Sequence, residues 1–170
     1  MTTEPADVEL VLAGIRDAGV TLVASLPDIN LVDLIERLET EPRIVHVPLS
    51  REEEGVGIAA GAWLGGGTPV VLMQNAGLLN TCNALTTTAL QFEIPMLLLV
   101  FYAGHLGDTA FMRLGEVTEP VLRALGIRTF IPADAAAARS LIPQAVTLSR
   151  QAMRPAAVLL TKAVLRPGAA

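Results

Sequence analysis

A chain of 170 residues has the size of one compact domain, and 52% hydrophobic against 17% charged residues is too apolar for a disordered protein. The net charge of -5, with no run of Lys or Arg, disfavours nucleic-acid binding, which needs cations along the phosphates. The longest apolar run, 96–103, is too short to span a membrane, and Cys82 as the only cysteine excludes an internal disulfide and favours the cytoplasm.

In chain order, the apolar residues alternate between helical and strand spacing. The first helix, 4–18, ends before Gly19, and a short apolar run at 21–26 predicts the first strand. Asp28 then caps a second helical pattern that continues to Leu38. The remaining elements are strand 43–47, helix 51–64, strand 69–73, helix 78–92, strand 95–101, helix 117–125, a strand near Ile127, helix 134–150 and strand 156–160.

This alternation predicts an α/β fold, a three-layer α/β/α sandwich with a central, mostly parallel six-stranded sheet. Parallel neighbours need long crossovers, and the crossover helices cover both faces of the sheet. We expect a single domain over residues 1–165 and a loose tail at 166–170. Ligands of such sheets bind at the carboxyl ends of the strands, which here are the loops 26–30, 48–54, 74–80 and 102–108.

The start of the third helix carries a capping-box pattern, with Ser50 as the N-cap and Glu53 reaching back to its backbone N–H. That structural role accounts for both residues, because acidic side chains are favoured at the positive end of a helix. The glycine-rich continuation, 55–61, is costly in a helix and therefore indicates close packing against neighbouring backbone. A capping role and a functional role for Glu53 both remain open at this point.

The same stretch, REEEGVGIAAGAWLGG, resembles the helix with which thiamine-diphosphate enzymes present a glutamate to their cofactor. Matching Trp63 to the aromatic residue of that motif puts Glu53 at the glutamate. MQNAGLLNTCNAL and EIPMLLLV resemble the cofactor-side loop and next strand of the pyrimidine-binding domain, and SLPDINLVDLI resembles its first loop and second helix. The resemblance covers about residues 10–160 and is greatest to the α subunit of sulfopyruvate decarboxylase and the related half of phosphonopyruvate decarboxylase.

The resemblance implies a thiamine-diphosphate-dependent 2-oxo-acid decarboxylase, a carbon-carbon lyase that releases carbon dioxide and an aldehyde. In that family the glutamate hydrogen-bonds the pyrimidine ring nitrogen, and burial of Glu53 against an apolar ring would raise its pKa. The family holds the diphosphate and Mg²⁺ with a GDG motif and an Asn-Asn pair. The nearest stretch here, 107–109, lacks the second Gly and the asparagines. The resemblance therefore implies a β subunit that carries the diphosphate-binding domain, in an αβ hetero-oligomer, and assigns no metal ligand to this chain.

Two other functions remain open. A carboligase subunit would use the same cofactor and would differ only in capturing a second carbonyl compound instead of a proton. A noncatalytic domain would bind a partner through its apolar surface and would use Glu53 only as a helix cap. Dinucleotide binding is disfavoured, because no G-x-G-x-x-G follows the first strand.

The resemblance leaves open which residues bind the substrate. The resemblance to sulfopyruvate and phosphonopyruvate enzymes implies an Arg-Gly pair after the strand that ends here at Tyr102, as an anchor for a strong anion. This chain has Ala103 and Gly104 instead. His105 or Arg113 is a candidate to bind the substrate instead, against the simpler interpretation of solvated surface side chains. The substrate is therefore expected to be a short 2-oxo acid whose identity stays open.

Five further residues lie in the loops at the strand ends. The SLPDIN loop resembles the first loop of pyruvate decarboxylase, where an aspartate assists proton transfer, so Asp28 is a catalytic candidate as well as a helix cap. Gln74, Asn75, Gly77 and Asn80 lie beside the implied pyrimidine site and are candidates for cofactor binding. Loop amides also satisfy nearby backbone groups, and this second role remains open for each of them.

Overall fold

The computed structural model describes residues 5–106 and 108–165. The tail expected at 166–170, and Gly107 of the 107–109 stretch, lie outside the described residues. The helices are α1 (Pro5–Asp17), α2 (Val32–Glu39), α3 (Glu52–Leu64), α4 (Asn75–Asn80), α5 (Cys82–Ala84), α6 (Met112–Ala124), α7 (Ala135–Ala152) and α8 (Lys162–Leu165), with a π-helix at Leu85–Leu90 and a 3-10 turn at Thr109–Phe111. The strands are β1 (Leu22–Ser25), β2 (Val45–Pro48), β3 (Pro69–Gln74), β4 (Leu97–Phe101), β5 (Arg128–Phe130) and β6 (Ala156–Leu160).

All six strands run parallel in one sheet, in the order β2-β1-β3-β4-β6-β5. Gln74, the last residue of β3, pairs with Phe101, the last residue of β4, and Phe101 pairs with Leu160 at the end of β6. The carboxyl ends of these strands therefore finish side by side at one edge. The predicted sandwich and its six strands are confirmed, with a sheet that is parallel throughout.

Each face of the sheet packs against its own hydrophobic core. Successive strand residues point to opposite faces, so Leu72 packs with α1, α2 and α7, whereas Met73 packs with α3, α4 and α6. Every residue of β4, LLLVF, is buried, as a strand covered on both faces requires. Among the described helices, none is both long and apolar enough to cross a membrane.

The helix predicted at 78–92 is longer and less regular than expected. It begins at Asn75 and passes through α4 and α5 into the π-helix Leu85–Leu90. Within it the Thr86 hydroxyl donates to the carbonyl of Cys82 at 2.8 Å. Threonine hydroxyls in this run compete for the carbonyls that hold a regular helix together, which favours the wider turn.

The second helix begins later than predicted, at Val32, and Asp28 does not cap it. The Oδ1 atom of Asp28 instead accepts a hydrogen bond from the N–H of Asn30 at 2.8 Å and closes a local turn. The capping interpretation of Asp28 was therefore wrong, because this turn separates it from α2. The carboxylate stays at the edge of the sheet.

An ion-pair network ties α1 to the segment before β2. Arg16 lies between Glu9 and Glu41, with a carboxylate oxygen of each at 2.6 Å from a guanidinium nitrogen. The side chain of Glu41 is only 4% exposed. The hydrogen bond from Arg16 is the main reason that the pKa of Glu41 lies below its ordinary value.

Glu41→Gln should lower the urea midpoint at pH 7, because Arg16 loses a shielded partner. The folded-state pKa of Glu41 is depressed, so its contribution is present above the unfolded pKa near 4.5 and is lost as the pH falls through the folded pKa. The difference between wild type and E41Q should therefore shrink as the pH is lowered below 4.5. D17N, in the half-exposed pair with Arg139, is the control, and an equal loss in both variants would contradict this role.

Candidate active site

Asp28 and Gln74 join two of the loops at the carboxyl edge of the sheet. Gln74 donates from Nε2 to Oδ2 of Asp28 at 2.8 Å. Oδ1 of Asp28 accepts from both the backbone and the side-chain nitrogen of Asn30, at 2.8 and 3.1 Å. These bonds hold a half-buried carboxylate in one orientation. The structure thus brings together two residues that lie 46 positions apart in the sequence.

Glu54, rather than Glu53, caps α3. Its Oε2 atom accepts from the backbone N–H groups of Ser50 and Arg51, each at 3.2 Å. The predicted box of Ser50 and Glu53 was wrong by one residue, because α3 begins at Glu52 and its third position is Glu54. Glu53 therefore has no capping role.

Glu53 lies in the first turn of α3, with its side chain 33% exposed. Its Oε1 atom accepts from the guanidinium of Arg51 at 3.0 Å. The pKa of Glu53 lies below its ordinary value, first because the carboxylate accepts from its own backbone N–H and then because of Arg51. The raised pKa expected of Glu53 applies to a carboxylate covered by an apolar ring. The partly exposed side chain, with donors around it, has the opposite shift.

Glu52 packs across Gly77, the glycine of α4. A Cβ atom at Gly77 would collide with the Cγ and carboxylate of Glu52, so glycine is what lets α4 approach the start of α3. Three consecutive acids consequently have three different environments. Glu52 lies against α4, Glu54 caps the helix, and Glu53 pairs with Arg51.

Asn75 holds the end of β3 to the loop after β4. It is completely buried, and its Nδ2 donates to the carbonyl of Ala103 and to the Thr118 hydroxyl, each at 2.8 Å. Its Oδ1 accepts from the N–H of Ala103 at 3.2 Å. Because the protein uses both amide donors, Asn75 positions the loop. Asn80, at the end of α4, is exposed.

The loop after β4 is fixed by Asp108. Its Oδ2 accepts from the N–H of Gly104 at 3.0 Å, and its Oδ1 lies 3.3 Å from Nζ of Lys162. The Gly104 bond is the main reason that the pKa of Asp108 lies below its ordinary value, and Lys162 adds to it. Gly104 has a φ of 78°, and a Cβ there would collide with the carbonyl of Phe111. Glycine is therefore required at this turn.

A cavity of about 280 Å³ opens beside this loop, at the carboxyl ends of β4, β5 and β6. His105 lines it, with its ring 4.9 Å from that of Tyr102. Arg113 does not, because its side chain is 91% exposed and pairs with Glu116 at 2.7 Å. Lys162 also lines the cavity and was missed by sequence reasoning. Its position two residues after the end of β6 was the feature of the sequence that could have indicated it.

Comparison with known families identifies the part of the chain that carries these loops. Residues 8–106 match the family described as thiamine pyrophosphate enzyme, N-terminal TPP binding domain. The chain belongs to this family. The match includes Asp28, Glu53 and Gln74, so all three lie within the thiamine pyrophosphate (thiamine diphosphate) binding domain.

Relatives extend the similarity beyond that domain. The sulfopyruvate decarboxylase subunit alpha of Methanothermobacter thermautotrophicus is 39% identical over 83% of this chain and 87% of that protein. The subunit of the same name from Methanococcus maripaludis is 37% identical over 83% of this chain and 86% of its own length. The phosphonopyruvate decarboxylase of Streptomyces viridochromogenes is 37% identical over 57% of this chain but only 24% of its own. The resemblance to this group is confirmed.

A solved structure shares the fold. The 2-oxoglutarate:ferredoxin oxidoreductase from Magnetococcus marinus superposes with a TM-score of 0.75. The similarity covers 94% of this chain and 29% of that chain, at 16% sequence identity. At that identity the comparison supports only the shared α/β architecture.

The residues around Glu53 fit the pyrimidine half of thiamine diphosphate. Glu53 offers a partly exposed carboxylate that caps no helix, and Gly77 keeps the neighbouring backbone close. Gln74 and Asp28 add a fixed polar edge. Across residues 5–106 and 108–165, no three His, Cys, Asp or Glu side chains are grouped so that they could hold a metal ion.

Asn75→Ala should lower the free energy of unfolding by about 1–3 kcal/mol, because Ala103 and Thr118 lose a buried hydrogen-bond partner. Asn80→Ala, at the exposed end of the same helix, is the matched control and should change it by less than about 0.5 kcal/mol. Urea denaturation of both variants measures the difference. Equal stabilities for the two variants would show that Asn75 does not hold the β4 loop.

Proposed function

We propose that this chain is the α subunit, the pyrimidine-binding half, of a split thiamine-diphosphate-dependent decarboxylase of a short 2-oxo acid, 3-sulfopyruvate or 3-phosphonopyruvate. The observation that carries the proposal is the position of Glu53. It is the one acid of the Glu52–Glu54 run that neither caps α3 nor packs on α4. Relatives with alpha-subunit names, similar over most of their length, support the same conclusion.

Glu53 is proposed to hydrogen-bond the pyrimidine nitrogen of the cofactor and to share a proton with it. An apolar ring over the carboxylate would remove water and oppose the donors that now lower its pKa, so the proton could be shared. Thiamine diphosphate, when bound, supplies the electron sink that accepts the electron pair left when carbon dioxide departs. The role of Glu53 in the reaction is therefore proton positioning at the start of α3.

Asp28 is proposed to assist proton transfer to the product. Gln74 and Asn30 hold its two carboxylate oxygens from different loops, so the group is oriented before any ligand binds. Fixed geometry is what a general acid or base needs. Gln74 accordingly acts through Asp28, and both lie at the same edge of the sheet as Glu53.

The β subunit is proposed to cover the surface formed by α3 and the π-helix. The segment 55–92 contains no charged residue, although parts of it are exposed. Leu64 is 76% exposed and Phe92 is 69% exposed. A helix without a polar face, such as α3 beyond its first turn, is normally buried. A β subunit here would bring its diphosphate- and Mg²⁺-binding residues to the side of the chain that carries Glu53.

The test is release of carbon dioxide and aldehyde from 3-sulfopyruvate and 3-phosphonopyruvate by the chain with its β subunit, thiamine diphosphate and Mg²⁺. Glu53→Gln should lower turnover by about 100-fold or more, because a positioned proton-transfer group typically contributes that much. Glu52→Gln and Glu54→Gln are matched controls from the same turn, and E54Q should reduce stability more than turnover.

Full turnover in a folded E53Q complex would show that the reaction does not need Glu53 and would contradict the proposal. Carbon dioxide release without an equal amount of aldehyde would indicate capture of a second carbonyl compound, and thus a carboligase. Comparison of the two acids identifies the substrate. Circular dichroism of each variant establishes that a loss of turnover is not a loss of fold.

A further inference from the structure

Lys162 is the only lysine in the sequence, and it lines the cavity at the carboxyl ends of β4, β5 and β6. It lies two residues beyond the end of β6, immediately after Thr161. Neither the role proposed for Glu53 nor the Asp28–Gln74 pair uses this cavity.

The cavity lies within reach of the edge that carries Gln74. The end of β3 pairs with the end of β4, and β4 pairs with β6, so two strand spacings separate Gln74 from the end of β6. At about 4.8 Å a strand, this is about 10 Å. Asn75 also bonds directly to Ala103, at the start of the loop that forms one wall of the cavity. The cavity and the Asp28–Gln74 pair therefore lie on the same edge of the sheet.

Of the two charged side chains that line the cavity, the positive one, Lys162, is the more accessible. Asp108 is 8% exposed, and its two oxygens are engaged by the N–H of Gly104 and by Lys162. Lys162 is 43% exposed, and its ammonium carries three N–H donors, of which one is directed at Asp108. Asp108 thus orients the lysine while remaining shielded. An entering ligand meets the ammonium.

We propose that this cavity, with Lys162 as its cation, binds the distal sulfonate or phosphonate group of the substrate, an inference that rests on the proposed function. A volume of about 280 Å³ suits a short acid. The half-buried imidazole of His105 and the Thr161 hydroxyl line the same cavity and can donate to further oxygens of a tetrahedral anion. The lysine then takes the anchoring role for which Arg113 is too far out in solvent.

Binding can be tested without turnover. In the full chain with labelled lysine, Lys162 gives the only lysine side-chain NMR signal, and it should shift saturably on titration with sulfate. The ring signals of His105 should move with it. Those of His46, which bonds Ser25 and lies on β2 at the opposite edge of the sheet, should not. Methanesulfonate and methylphosphonate titrations show which of the two groups binds more tightly.

Lys162→Met should abolish the sulfate-dependent shift of His105. Lys162→Gln keeps a donor for Asp108 and serves as a second variant if K162M does not fold. Arg123→Met removes one positive charge from an exposed position on α6 and is the matched control. Absence of a saturable shift in the wild type, or an unchanged shift in the variants, would overturn the cavity as an anion site.

Steady-state kinetics of the complete α/β enzyme test the link to the substrate. Lys162→Met should raise KM for 3-sulfopyruvate or 3-phosphonopyruvate by about 10- to 100-fold, the effect of losing one hydrogen bond to a charged group, with a much smaller change in kcat. A normal KM in K162M, or a raised KM in Arg113→Met alone, would overturn the inference that Lys162 binds the substrate. Either result would leave the proposed decarboxylase function intact. No turnover of either acid by the wild type would refute the proposed function, and the sulfate titration would still decide the cavity.

Discussion

The parallel sheet determines where this protein can carry out chemistry. Six strands that run in one direction bury their own hydrogen-bonding groups and deliver their carboxyl ends to a single edge. Polar side chains are tolerated mainly in the loops at that edge, and there the bonds of Asn75 and Asp108 fix the loop after β4. The positions of Asp28, Gln74 and Lys162 relative to one another follow from strand register, not from their distance in the sequence.

At the start of α3, three consecutive glutamates have three different roles. Glu54 satisfies the backbone donors that every helix start leaves unpaired, and Glu52 fills the space that Gly77 leaves against α4. Glu53 is bound by Arg51 and is partly exposed. Because Glu52 and Glu54 have structural roles, Glu53 is the carboxylate that remains next to the uncharged surface of 55–92. Under the proposed function, that surface and that carboxylate are half of a binding site that a second chain completes.

Much of the fold, and the family, could be predicted from the sequence, for identifiable reasons. Strands buried on both faces must be continuous apolar runs, so β3 and β4 were evident, and the motif around Glu53 identified the family. The one-residue error in the cap arose because the extended backbone of Arg51, with φ -146° and ψ 144°, sets the helix start. The burial of Asn75 and the cavity at Lys162 depend on contacts between distant segments, which no local pattern reports.

The central claim is that this chain supplies only the pyrimidine half of a cofactor site shared with a β subunit. Calorimetric titration of thiamine diphosphate with Mg²⁺ into the chain alone, the β subunit alone and their complex tests it most directly. The account predicts tight binding only by the complex, with one cofactor for each α/β pair. Equally tight binding by the isolated chain, or no binding by the complex, would contradict it.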